Sequence, residues 1–119
     1  MHELSVTQSL VDIANAEGEK VNAKRVTKIK MVLGAFSGLV PACIQEYFDL
    51  LSEGCICEKA KLEFTRIPAI IECEKCGKKT ELTHFRLVCG GCGSRHVKLI
   101  QGREFFIESL EVEDADTED

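Results

Sequence analysis

Four cysteines carry the clearest chemistry in the chain: Cys73 and Cys76 in Cys-Glu-Lys-Cys-Gly, and Cys89 and Cys92 in Cys-Gly-Gly-Cys-Gly. The two C-x-x-C pairs sit twelve residues apart. A C-x-x-C turn lets two sulfurs converge on one ion, and two such turns supply the four thiolates of a tetrahedral zinc site. Gly77 and Gly93, each following the second Cys of its pair, suit the backbone twist that leaves such a turn. Two disulfides fit poorly, because the chain opens without a secretory signal and is expected in a reducing compartment. A thioredoxin-like redox pair needs one C-x-x-C on a βαβ unit, not two facing across a hairpin. With all four positions filled by protein, the predicted site is closed and structural.

A second constellation is Met1-His2-Glu3. The α-amine, the backbone nitrogen of His2 and its imidazole can close fused chelate rings on one metal. The backbone nitrogen of Glu3 would complete four nitrogens in a plane. That geometry suits Ni²⁺ or Cu²⁺ and not Zn²⁺. On residues alone, a plain surface histidine fits as well.

These residues need elements to hold them. A chain of 119 residues makes one domain, or one small domain carrying a metal module. No apolar run reaches membrane-spanning length, so a cytoplasmic protein is expected. Helical spacing of Val6, Leu10, Ile13 and Ala14 predicts a helix over 3–17, stopped by Gly18. Alternation predicts a strand over 25–33, with Thr27, Ile29, Met31 and Leu33 on one face. Pro41 opens a second helix whose stripe is Ile44, Tyr47, Phe48 and Leu51, with Gly54 ending it. Cys43 packs in that helix as a small hydrophobe. A strand over 61–71 slips near Arg66–Pro68, as a bulge or edge would. Segments 82–88 and 97–100 read as short strands and 105–112 as the last one. Cys55 and Cys57 read as half-buried thiols before a strand, and His84 and His96 as surface residues.

The predicted fold class is therefore α+β: two helices on a small three-stranded sheet with an inserted four-Cys zinc ribbon. Residues 1–71 plus 104–113 form the α/β domain, 72–103 the zinc ribbon, and 114–119 an acidic disordered tail. Charge is uneven. Between 72 and 103 seven Lys or Arg face three Glu, a balance of +4, which leaves −9 for the rest of a chain of net −5. That basic ribbon supports an alternative reading as a protein- or nucleic-acid-binding zinc module. Against nucleic acid, Phe85 is the ribbon's one aromatic residue for stacking. No nucleophile–base pair or phosphate loop points to an enzyme.

Met-His-Glu-Leu-Ser at the start, Val-Leu-Gly-Ala-Phe-Ser-Gly at 32–38, the Cys ribbon and Gly-Arg-Glu-Phe-Phe-Ile-Glu-Ser-Leu-Glu at 102–111 together resemble the HypA/HybF family of nickel metallochaperones. The likeness spans the chain short of its acidic tail. It implies an N-terminal site in which exchangeable Ni²⁺ is held by His2, with Met1 and Glu3 contributing. It also implies a structural Zn²⁺ on Cys73, Cys76, Cys89 and Cys92. The implied partners are a HypB-type GTPase and the nickel–iron hydrogenase large subunit, with urease accessory proteins in some bacteria. Nucleic acid and membrane are not among them, and a monomer or weak dimer is expected. The chain departs from the family in having Val40-Pro41 where an acidic residue is common, and Gly90-Gly91 in a knuckle where Pro is common.

Overall fold

A computed structural model describes residues 3–82 and 86–114. In chain order the elements are α1 (Glu3–Lys20), β1 (Ala23–Gly34), α2 (Pro41–Leu51), β2 (Lys61–Ile67), β3 (Ile70–Cys73), β4 (Lys79–Glu81), β5 (Val97–Gln101) and β6 (Phe105–Asp114). The strands form two three-stranded sheets, ordered β2-β1-β6 and β4-β3-β5. The α+β class with two helices, a three-stranded sheet and a four-Cys ribbon is as read from the sequence. Among the described residues, no helix is long and apolar enough to cross a membrane.

The chain divides into two compact units. Over the described residues, the first takes 3–31, 39–65 and 106–114, and the second 32–38 and 66–105. The first is built on helix against helix: α1 packs on α2. Its core is Leu10, Val11 and Ala14 of α1, Val26, Ile29 and Met31 of β1, Ile44 and Phe48 of α2, and Leu62 of β2.

Several sequence expectations are corrected here. The buried face of α1 is Thr7, Leu10, Val11, Ala14 and Gly18, not the stripe through Val6 and Ile13, and Ile13 is 50% exposed. Gly18 does not stop the helix. It lies inside the helix because a Cβ there would meet Ile56 Cδ1 at 2.7 Å; the glycine serves close packing. The helix runs on to Lys20, and the chain turns at Asn22, whose φ is 57°, a left-handed conformation that Asn tolerates. In β1 the buried parity changes between Val26 and Ile29, leaving Thr27 exposed. Its hydroxyl donates to Glu111 O (3.1 Å) instead. In α2, Pro41 is in the first turn as expected and Gly54 follows at φ +81°. Ile44 and Phe48 are buried, whereas Tyr47 is exposed.

The slip at Arg66–Pro68 is not a bulge in one strand. It is where β2 ends and β3 begins in the other sheet. Pro68 has no N–H to continue a ladder. The last strand, expected over 105–112, runs to Asp114, so Asp114 belongs to β6 and not to the acidic tail. Glu113 meets Arg25 (2.9 Å) and Glu111 meets Lys30 (3.6 Å), so strand pairing and charge complementarity hold them in register. Residues 115–119 lie outside the described set.

In the second unit, β3 pairs antiparallel with β4 and with β5. The register shift beside Ile70 leaves Ile100 as an extra residue on β5, a bulge. The 32–38 segment is bonded within this unit: Gly34 N–H to Glu104 O (2.8 Å), Ala35 N–H to Ile67 O (3.0 Å) and Phe36 N–H to Gly102 O (2.6 Å).

Candidate metal centre

Two knuckles built the same way present the four cysteines. Cys73 ends β3, and its carbonyl accepts from Gly77 N–H (3.0 Å) while its own N–H donates to Lys78 O (2.9 Å). Cys89 repeats the pattern with Gly93 N–H (3.1 Å) and Ser94 O (2.9 Å). Each turn closes through a glycine in the left-handed region, Gly77 at φ +77° and Gly93 at φ +75°, where an L side chain is strained. Both glycines therefore have the role that the spacing implied.

The four Sγ atoms lie within 4.8 Å of one another. Across the knuckles, Cys73 Sγ is 3.6 Å from Cys92 Sγ and Cys76 Sγ is 3.6 Å from Cys89 Sγ. A tetrahedral ion with metal–sulfur bonds of about 2.3 Å separates its sulfurs by about 3.8 Å, so the arrangement fits such an ion. Backbone N–H groups already point at two of the sulfurs. Lys75 and Cys76 donate to Cys73 Sγ (3.3 and 3.4 Å), and Gly91 and Cys92 to Cys89 Sγ (3.3 and 3.4 Å).

Those donors favour thiolate. The Cys92 N–H, and then that of Gly91, lower the Cys89 thiol to about 6. Cys73 is lowered chiefly by the Cys76 N–H. At Cys76 the Lys78 N–H favours thiolate, but the neighbouring Cys89 and Cys73 thiols outweigh it and push the group up to about 11. Cys73 and Cys89, one in each knuckle, are thus biased toward thiolate, and a bound cation would draw the proton off Cys76.

The second knuckle owes its seat to residues that the sequence reading passed over. Gly90 N–H donates to Thr80 Oγ1 (3.1 Å). A Cβ at Gly91 would meet Lys78 Cδ at 2.9 Å, so the lysine stem runs over that glycine. Gly-Gly is thus the surface that Thr80 of β4 and the Lys78 stem contact. Of the strand expected over 82–88, residues 83–85 lie outside the described set and 82 and 86–88 are not strand, while a short strand, β4, precedes them at Lys79–Glu81. Thr80 there sits opposite Ile71 of β3. A threonine four residues after a knuckle cysteine is too common a pattern to have flagged this.

The remaining candidates separate. Met1 and His2 lie outside the described residues, as do His84 and Phe85. Glu3 opens α1, and its Oε2 accepts from Val40 N–H (3.2 Å). The carboxylate beside the Val40-Pro41 turn is thus Glu3 itself. His96 is exposed and donates its N–H to Ser94 Oγ. Cys57 is fully buried, and burial, followed by the neighbouring Cys55, pushes its thiol up to about 11. That is the signature of an inert core thiol. Cys43 is half-buried on α2.

Known proteins place this architecture. The family described as hydrogenase/urease nickel incorporation, metallochaperone, HypA matches residues 1–112. The hydrogenase maturation factor HypA of Caldanaerobacter subterraneus is 43% identical over 114 residues, covering 95% of this chain and 100% of the relative. That of Aquifex aeolicus is 37% identical, covering 95% and 98%. The solution structure of the nickel metallochaperone HypA from Helicobacter pylori superposes with a TM-score of 0.68 at 26% identity, over 96% of this chain and 99% of that one. The chain belongs to the HypA family.

Proposed function

We propose that the chain carries Ni²⁺ at its N-terminus and delivers it during maturation of nickel–iron hydrogenase, with urease as a second client in some bacteria. The observation that carries this reading is the family match over residues 1–112, joined to a four-Cys cluster of tetrahedral dimensions. Nickel is cargo. Met1 supplies its amine, His2 its backbone nitrogen and imidazole, and Glu3 its backbone nitrogen, a planar set suited to Ni²⁺.

Glu3 contributes through its backbone because its carboxylate is engaged with Val40 N–H. As the first residue of α1, its N–H has no partner within the helix. On nickel binding that nitrogen can release its proton to water as the metal–nitrogen bond forms. Cys73, Cys76, Cys89 and Cys92 hold Zn²⁺, the ion that closed four-thiolate sites take. When bound, zinc supplies a crosslink between the knuckles and no reaction. The chain is a carrier, not a catalyst, and works in the cytoplasm with a HypB-type GTPase and the hydrogenase large subunit. It binds no nucleic acid and is a monomer or weak dimer.

The test is Ni²⁺ titration of zinc-loaded protein beginning at Met1, beside His2→Ala and a version with added N-terminal residues. We expect one Ni²⁺ per chain, lost in both variants, with one Zn²⁺ retained throughout. Undiminished nickel binding by His2→Ala would overturn the N-terminal site.

A further inference from the structure

We propose that the free edge of β6, with the groove beside α1, is a docking site for an extended segment of a partner protein in which apolar residues alternate with Lys or Arg. β6 is an end strand of the β2-β1-β6 sheet, so among the described residues one of its edges lacks a strand neighbour. A groove of about 580 Å³ lies there, lined by Ile13 and Glu17 of α1, by Val21 just after it, and by residues 107–110, 112 and 114 of β6. Successive residues of a strand point to opposite faces. Four consecutive ones lining a single groove mean that it runs along the strand's edge, where backbone N–H and C=O groups are presented.

The walls are apolar where a soluble helix is usually polar. Ile13 is 50% and Val21 61% exposed, and Ile107, Leu110 and Val112 also line the groove. The volume is within the range of about 300–1,000 Å³ typical of binding clefts. Addition of a strand to a free edge takes affinity from main-chain bonds and specificity from pockets for alternate side chains.

Charge selects the occupant. Glu17, Glu108 and Asp114 line the groove; Glu17 also pairs with Lys20 (3.1 Å), and the Glu108 carboxylate, on β6, is the acid there that a cation of the occupant would meet. A second copy pairing through its own β6 would bring two Glu108 carboxylates to one seam, while Glu111 and Glu113 already pair with Lys30 and Arg25. Like charges across a strand pair are destabilising, and charged edges are a standard protection against self-association. A basic, alternating segment meets both features of the groove: apolar side chains enter it and cations reach its rim. This inference is independent of where nickel binds.

The probe is a fluorescent, capped heptapeptide, Lys-Val-Arg-Ile-Lys-Val-Arg, titrated into zinc-loaded, isotope-labelled full chain. Two controls are a scrambled peptide of the same composition and an alternating Glu-Val peptide. Expected results are saturable binding to the first peptide only, amide shifts confined to 105–114 and the facing side of α1, and affinity falling with salt. Ile13→Lys with Val21→Lys, both at exposed positions, should weaken binding by at least about ten-fold. Equal binding of the scrambled or acidic peptide would overturn the proposal, as would shifts centred elsewhere. So would a double variant that is folded by its spectrum and still binds. Sedimentation showing a dimer lost in the double variant would assign the edge to a second copy instead.

Discussion

At the residue scale, the metal centre separates two kinds of glycine that look alike in sequence. Gly77 and Gly93 are required by conformation: each has φ near +75° and nothing within 4 Å of an added Cβ. Gly90 and Gly91 are required by neighbours, Thr80 and the Lys78 stem. The first kind was legible, because a glycine after C-x-x-C follows from turn geometry. The second depends on β4 lying against the knuckle, a contact no local pattern encodes. The distinction gives a prediction. Gly93→Ala forces an L residue into the left-handed region at a cost of about 1–2 kcal/mol. It should therefore raise the rate of zinc transfer to a chromophoric chelator about ten-fold. Gly91→Ala is crowded only by a flexible lysine stem, which can swing aside, and meets Cys89 Sγ at an ordinary contact distance of 3.7 Å, so it should change that rate by a smaller factor. Equal acceleration by the two substitutions would show that crowding, not backbone conformation, limits the knuckle.

At the element scale, what was readable followed period and punctuation, and what was missed followed packing. Pro41 at the start of α2, Gly54 after it, and β5 and β6 were all legible. The end of α1 was not, because Gly18 resembles a stop signal while its real constraint is the Ile56 side chain. An isolated helix would gain about 1 kcal/mol on losing an interior glycine. In this fold, Gly18→Val should instead destabilise, because its branched side chain enters space already held by Ile56 and Val26. Overpacking of this kind costs about 1–3 kcal/mol. Urea unfolding of the variant should show a lower midpoint with an unchanged slope. A midpoint at or above that of the parent would mean that Ile56 moves aside freely. The split between β2 and β3 was half legible: the broken alternation near Pro68 marked a disturbance, but not that a second sheet begins there.

At the scale of the whole molecule, the two units differ in what holds each together. The first buries Leu10, Val11, Ile29, Met31, Ile44 and Phe48, a side-chain core of the ordinary kind. In the second, the fully buried large side chains are few, Ile71 and Leu33 among them, and Cys73 and Cys89 are themselves part of its interior. Short β4 and β5 flank β3, and a small unit with so few buried large side chains is marginal without a further crosslink. An ion on four thiolates supplies that crosslink, so its binding free energy is folding free energy for the ribbon. Chelation of the zinc-loaded protein should therefore collapse the amide dispersion of residues 70–101 first. The signals of Leu10, Ile44 and Phe48 should hold their positions. Readdition of Zn²⁺ should restore the ribbon signals, whereas Mg²⁺, which prefers oxygen ligands, should not. Loss of both sets of signals in one step would mean that the ion supports the first unit as well as the second, and that the side-chain core does not suffice alone.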